Sequence, residues 1–366
     1  MANEDKATRY QRLRRRASLA GVGAAGLVLG LALLAGLPEP AAGEPGADPI
    51  SGFLALVPVA LGLLLACLAA AFPAAFYRDA LLTRRYGVLR EPPAAWARAW
   101  ARQAAVSAAL GVGAILGAAL LRWVLPGWWW LAGGAVAGVA PFAVGALVGR
   151  VARQSPAGTP LRNGALRDRL ARLAAKAGLP DLALYQTNVG GRTRLANAAV
   201  VTAGGERRVL LSDTLLADHA DEEVEVVVAH ELGHVVHRHG AVSQAVRAAH
   251  VAASLYGADA GLRWLAPGDA VVAPALLPAA LLAAGAVYLA LRPLPLAVSR
   301  LQERSADRYA ITLSGNPAAL ASVVRRLAAN NLAEPSPSRL VLWFFHSHPP
   351  VSRRLSAAAG VSEGGA

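Results

Sequence analysis

The stretch Val228-Ala229-His230-Glu231-Leu232-Gly233-His234 decides how the rest of this chain is read. His230 and His234 stand four positions apart, so on a helix they lie one turn above each other on one face and can grip one cation. Glu231 stands beside the first imidazole and can reach a water molecule without itself occupying the metal. The surrounding segment reads as a helix from about 221 to 239. Asp218, Asp221, Glu222, Glu223 and Glu225 crowd its start, where the helix dipole favours negative charge. His237, Arg238 and His239 close it, and Gly240 supplies the expected C-terminal stop. Such charged ends make it a capped helix that touches water, not a lipid-facing span.

The spacing is the HExxH pattern of zinc peptidases, in which the glutamate acts as general base. The bland alternative is a pair of surface histidines with no metal, and the glutamate between them argues against it. His237 shares their face, but two turns separate it from His230 by roughly 10 Å, too far for both to reach one zinc at about 2 Å each. His237 and His239 are therefore read as groups at the dipole end or the membrane interface.

Working outward, composition points to a membrane. Of 366 residues, 55% are hydrophobic and 16% charged, against about a quarter charged in a soluble protein. Runs long enough to cross a bilayer, which takes about 20 residues, cover 17–37, 51–77, 103–121, 128–149, 243–265 and 270–291. The expected organisation is a membrane domain of four spans over 1–150. A zinc peptidase domain follows over 151–366, interrupted by the last two spans.

Charge orders these spans. Arg9, Arg12, Arg14, Arg15 and Arg16 precede the first, and the next loop carries Glu39, Glu44 and Asp48 with no basic residue. Arginines return between spans two and three, after span four at Arg150, Arg153 and Arg162, and after span six at Arg292 and Arg300. Placing the arginine-rich loops in the cytoplasm puts both termini and the motif helix inside, with Trp128, Trp129 and Trp130 at the outer interface. The first span could be a signal peptide cleaved near 41–43, but its length and the charge alternation favour a retained anchor. The net charge of +13 is distributed as membrane flanks and no nucleic-acid module is visible, so no nucleic-acid partner is expected. Cys67 stands alone, which excludes a disulfide framework. Lys6 and Lys176 are the only lysines, a skew that suits a GC-rich bacterial genome. The expected location is the bacterial cytoplasmic membrane, with several passes.

A zinc peptidase needs a third protein ligand. Glu303 and Asp307 are four apart on an expected helix, so one carboxylate can bind the metal while the other orients a ligand histidine. Taken alone, with Arg300, Arg304 and Arg308 around them, they would read as a solvated charge run. The interval from His234 to Glu303 is filled by two apolar spans, which is unusual for a soluble enzyme.

Other segments keep company with the motif in a fixed order. Arg85-Tyr86-Gly87-Val88 is followed by Trp96 and Trp100, then by Leu195-Ala196-Asn197-Ala198-Ala199-Val200 and Leu211-Ser212-Asp213-Thr214-Leu215-Leu216. The series ends with His346-Ser347-His348-Pro349-Pro350-Val351-Ser352-Arg353-Arg354-Leu355. Together they resemble the type I CAAX prenyl endopeptidase family of integral-membrane zinc metalloproteases, whose eukaryotic members have seven spans against the six counted here. The resemblance implies a mainly α, polytopic transmembrane protein with a gluzincin-like zinc peptidase domain containing a small β-sheet. It implies one zinc per chain held by His230, His234 and Glu303, with Glu231 as base and Asp307 behind a histidine ligand. His348 would donate to the developing oxyanion, Asn197 would hold the substrate backbone, and Arg354 a substrate carbonyl or carboxylate. The partners expected are the lipid bilayer and a peptide or protein substrate, including membrane-anchored ones. The reaction would be endoproteolysis at the cytoplasmic face, as CAAX-type processing or as quality control of membrane proteins.

The segments 182–187, 193–203 and 206–212 alternate like short strands, and a substrate peptide can add to such an edge. Competing readings stand against this one. A site-2-type protease would carry the motif inside a membrane helix with an Asp motif in a later span. A zinc-binding transporter would need polar residues within spans that read as nearly all apolar. A non-catalytic membrane scaffold would be expected to have lost Glu231.

Overall fold

Long apolar runs become long helices because a helix satisfies its own backbone hydrogen bonds where no water can. The computed structural model describes residues 5–36, 49–152, 158–162, 164–203, 206–265 and 274–363. The first helices, α1 (Lys6–Ala35) and α2 (Pro49–Phe76), pack side by side. The second continues through a π-helical turn (Tyr77–Leu81) into α3 (Leu82–Arg85). Pro92 and Pro93 then open α4 (Pro93–Val124), where a missing N–H costs nothing, and α5 (Trp129–Ala152) returns.

Four helical stretches among the described residues are long and apolar enough to cross a bilayer: Lys6–Ala35, Ile50–Arg85, Pro93–Val124 and Pro274–Ser314. They coincide with the spans expected at 17–37, 51–77, 103–121 and 270–291. The other two expected spans fall on α5 and on α9 (His239–Leu265), which pack through small residues. At Gly134 a Cβ would stand 2.5 Å from the Ala252 Cβ and 2.8 Å from the Ala248 carbonyl oxygen. The acidic loop with Glu39, Glu44 and Asp48, the cleavage site near 41–43, Arg153 and the first residues of span 270–291 lie outside the described residues.

Two expectations about the spans change. Only Trp128 of the three tryptophans is exposed. Trp129 turns inward, donating from Nε1 to Asp259 Oδ1 at 2.8 Å, and Trp130 stands edge-on to Tyr256. Nor is span 243–265 almost purely apolar, because α9 buries His250, Ser254 and Asp259. Burial is tolerable since each finds a partner: the Tyr288 carbonyl for His250, the His250 carbonyl for Ser254, and Trp129, Arg122 and Arg263 for Asp259. Asp259 lies about 30 Å of helical rise from His239, so it is not the second carboxylate of an intramembrane metal motif.

After the membrane helices come β1 (Thr159–Pro160), α6 (Gly164–Lys176), β2 (Ala183–Thr187), β3 (Ala198–Ala203) and β4 (Glu206–Ser212). The sheet order is β1-β2-β4-β3, with β2 parallel to β4 and the other pairs antiparallel. The strand expected at 193–203 starts only at Ala198. Thr193 instead pairs with Leu89 of the linker after α3, beyond the positive-φ Gly87. β3 lies at the edge, with no strand on its far side among the described residues.

Next come α7 (Asp213–Asp218) and the motif helix α8 (Asp221–Val236). Val224, Val226, Val228, Ala229 and Leu232 of α8 are essentially sealed from solvent. They pack among Leu170, Val209, Leu211, Ala310 and Val323 in the main core. A helix apolar on most faces is buried, so the expected water-touching helix is instead the central element of this domain. Even its acidic start is drawn in: Glu223 accepts from the Ala220 amide at 3.1 Å, Ser322 at 2.6 Å and Arg326 at 2.9 Å. The helix also ends earlier than 239. Arg238 takes φ +53° in the turn, and Gly240 lies inside α9 instead of stopping α8. The remaining elements are α10 (Leu277–Leu291), α11 (Pro293–Ser314), α12 (Pro317–Asn330), α13 (Arg339–Phe345) and α14 (Val351–Glu363). The fold is mainly α with a small mixed sheet.

Candidate metal centre

The centre is made by α8 packing on α11 at Gly233. A Cβ at this glycine would lie 3.1 Å from the Ala306 Cα and 3.2 Å from Tyr309 Cδ1. The bare backbone lets α11 approach, and Glu303 and Asp307, flanking Ala306 in sequence, are carried against the two histidines. His230 Nε2 and His234 Nε2 are 3.2 Å apart, and each lies 3.5 Å from a Glu303 carboxylate oxygen. Ligands about 2.05 Å from a tetrahedral zinc stand about 3.3 Å from one another, which these separations match. Glu303 Oε2 is buried without a hydrogen bond of good geometry, although His348 Nδ1 is 2.8 Å away. An orphaned carboxylate oxygen beside two imidazole nitrogens suits a cation. Among the described residues, His230, His234 and Glu303 form the group able to hold one. His237 is excluded, its Nδ1 lying 2.8 Å from the Gly233 carbonyl.

Each of the two histidines is held from behind. Asp307 Oδ1 lies 2.9 Å from His230 Nδ1, which keeps a proton there and turns Nε2 to the centre. Arg354 in turn forks onto Asp307, with Nε to Oδ2 at 2.8 Å and Nη2 to Oδ1 at 2.6 Å. The arginine expected to hold substrate thus has two of its donors committed to this carboxylate. His239 Nδ1 stands 3.0 Å from His234 Nδ1, and its carbonyl accepts from Gln302 Nε2 at 3.1 Å. His239, read from sequence as a helix-end residue, is buried here because the turn at Arg238 folds it back onto His234. A histidine five positions beyond His234 was the available signal, but its meaning depends on where α8 stops.

Electrostatics follow this arrangement. Burial disfavours a charged His230, but the hydrogen bonds and charges of Asp307 and Glu303 outweigh it and raise its pKa to about 9. His234 is lowered to about 4, by burial first and then by the neighbouring His230 charge. Burial also lowers His239, leaving a neutral ring that can accept the His234 Nδ1 proton. Burial raises Glu231 against the opposing pull of His230, moving it toward the proton-carrying range.

Glu231 opens onto a cavity of about 640 Å³ that reaches His230, Glu303, Asn197, His348 and Arg354. Asn197 is exposed and lines this cavity, with its backbone tied both ways to Ser212 at 2.9 Å. The His348 ring is 63% exposed, and with Nδ1 near Glu303 its Nε2 remains for a ligand. All eight residues singled out from sequence therefore meet at one locus.

Residues 160–362 match the model of Peptidase family M48. The uncharacterized metalloprotease YhfN of Bacillus subtilis is 32% identical over 206 residues, covering 54% of this chain and 48% of YhfN. A protease HtpX homolog of Methanopyrus kandleri is 32% identical over 212 residues, covering 52% and 64%. The probable CAAX prenyl protease 1 of Schizosaccharomyces pombe is 28% identical over 208 residues, covering 54% and 43%. The matched region thus spans about half the length of these relatives. The crystal structure of S. mikatae Ste24p superposes with a TM-score of 0.67 at 19% identity, covering 91% of this chain and 80% of that one, a likeness of fold.

Proposed function

Because the chain belongs to Peptidase family M48, we propose that it is a membrane-embedded zinc endopeptidase that hydrolyses peptide bonds at the cytoplasmic face. The observation that carries this reading is the facing set of His230, His234 and Glu303 donors with Glu231 beside it in an open cavity. Zinc held there would polarise the scissile carbonyl and acidify a water molecule.

The chain's own residues do the rest. A peptide adds along the outer edge of β3, which no described strand pairs, with Asn197 holding its backbone as the strand passes Glu231. Glu231 takes the proton of the attacking water and returns it to the leaving amine, a role suited to a carboxylate whose burial raises its pKa. His348 donates from Nε2 to the carbonyl oxygen as charge grows on it. Arg354 acts one step back, fixing Asp307, which fixes His230. The arginine-rich loops support a cytoplasmic orientation of this machinery in a bacterial membrane. The substrates we favour are membrane proteins or membrane-anchored proteins, cut in CAAX-type processing or in quality control.

The test uses purified protein, zinc and an internally quenched peptide library. Cleavage should stop with a chelator and return with zinc. Glu231→Gln should keep its zinc while turnover falls by about a hundredfold or more, the scale of a lost general base. Equal turnover by the two proteins would remove Glu231 from the chemistry.

A further inference from the structure

The arginines that flank the first two membrane helices do not simply face lipid headgroups. Arg14, Arg15 and Arg78 line the same cavity as His230 and Glu231, together with Arg292. Their orientation comes from docking of the α1 N-terminal half onto the peptidase side. Gln11 Nε2 donates to the Leu332 carbonyl at 2.8 Å, and Arg15 pairs with the buried Glu334. Asp79 is shared, 2.5 Å from Arg78 and 3.7 Å from Arg14. Arg14 Nε is buried with no hydrogen-bond partner. Arg292 lies over the Phe345 ring at 5.9 Å and, among the described residues, has no carboxylate partner. Asp79 and Glu334 thus serve Arg14, Arg15 and Arg78, while half-buried Arg292 pairs with neither, which suits it to an anion brought by a ligand.

We propose that this wall is an anion subsite for a carboxylate carried by the peptide substrate, either its chain terminus or an acidic side chain. The proposal rests on the peptidase reading of the same cavity. Arg292 caps the start of α11 and Glu303 lies further along it, about 16 Å of helical rise away. About five extended residues cover that distance, so one strand can present a peptide bond to Glu231 and a carboxylate to Arg292 and Arg14. Arginine suits the task because its planar fork matches a carboxylate and stays charged at any working pH.

The experiment measures binding first, so that it does not depend on turnover. Three labelled peptides of one sequence, a C-terminal acid, its amide, and the amide with one added glutamate, are titrated against the zinc-loaded Glu231→Gln full chain in neutral detergent. Cleavage by wild type is followed in parallel. At least one carboxylate peptide should bind roughly tenfold tighter than the plain amide, and which one does identifies the carboxylate's source. Arg292→Gln and Arg14→Gln should each shrink that preference severalfold, whereas the exposed Arg167→Gln should leave it intact. A preference that survives both cavity variants would mean that the carboxylate sits on the zinc, and would overturn the subsite. So would equal binding of all three peptides. Loss of the preference on adding anionic but not neutral lipid vesicles would assign the arginines to headgroups and also overturn it. Binding preference without cleavage by wild type would instead overturn the peptidase reading and leave the subsite standing.

Discussion

Replacing Gly233 with alanine tests whether the metal centre depends on how closely α8 and α11 approach. The added Cβ would lie 3.1 Å from the Ala306 Cα, and ordinary carbon contacts are about 3.5–4.0 Å. The obstacle is backbone, which cannot swing away, so α11 must retreat by about 0.5 Å. Glu303 and Asp307 ride on that helix to either side of Ala306. Metal sites tolerate about 0.2 Å in ligand position, so the displacement should cost about ten- to a hundredfold in zinc affinity, about 1.4–2.8 kcal/mol. Folding should respond differently. Alanine gains about 0.8–1 kcal/mol of helix propensity over glycine, against about 1–3 kcal/mol for overpacking. The metal-free protein should therefore lose no more than about 2 kcal/mol. Zinc affinity is read by competition with a chromophoric chelator, and metal-free stability by thermal unfolding in detergent. A Gly233→Ala variant with zinc affinity within about threefold of wild type would refute the argument that this contact sets the ligand geometry.

His239→Phe removes the acceptor behind His234 while keeping an aromatic ring, and should lower zinc affinity by about ten- to a hundredfold. Restoration by His239→Asn, whose Oδ1 stands where the imidazole Nδ1 does and can accept the same proton, would separate positioning from packing, and wild-type affinity in the phenylalanine variant would end the assignment. Zinc binding should also release a proton. In the metal-free protein the pKa of His230 is raised to about 9, so below that pH its Nε2 carries a proton that zinc must displace. Apparent affinity should fall about tenfold per unit as pH drops from 8 to 6. A flat profile from 8 to 7, as an ordinary histidine of pKa about 6.5 would give, would contradict the raised value.

The group able to hold a cation, and the carboxylate we propose as base, could be picked out in the chain because their geometry is local. His230, Glu231 and His234 need only the helical repeat to share a face, and Glu303 and Asp307 need only the same repeat one element later. Long apolar runs likewise announced the helices of the membrane region, since apolar length alone is what a bilayer demands. Other assignments depended on contacts between distant segments. Glu223 looked like a solvated dipole partner until α12 brought Ser322 and Arg326 to it. Arg354 looked like a substrate ligand until α14 set it on Asp307. His239 lost its helix-end reading when the turn at Arg238 returned it to His234. Arg14 and Arg15 carry the charge pattern of a membrane flank, and only docking of α1 on the 331–334 segment turns them toward the site. A side chain's charge is written in the sequence, but the group that faces it is chosen by packing across hundreds of residues, and that partner decides its role.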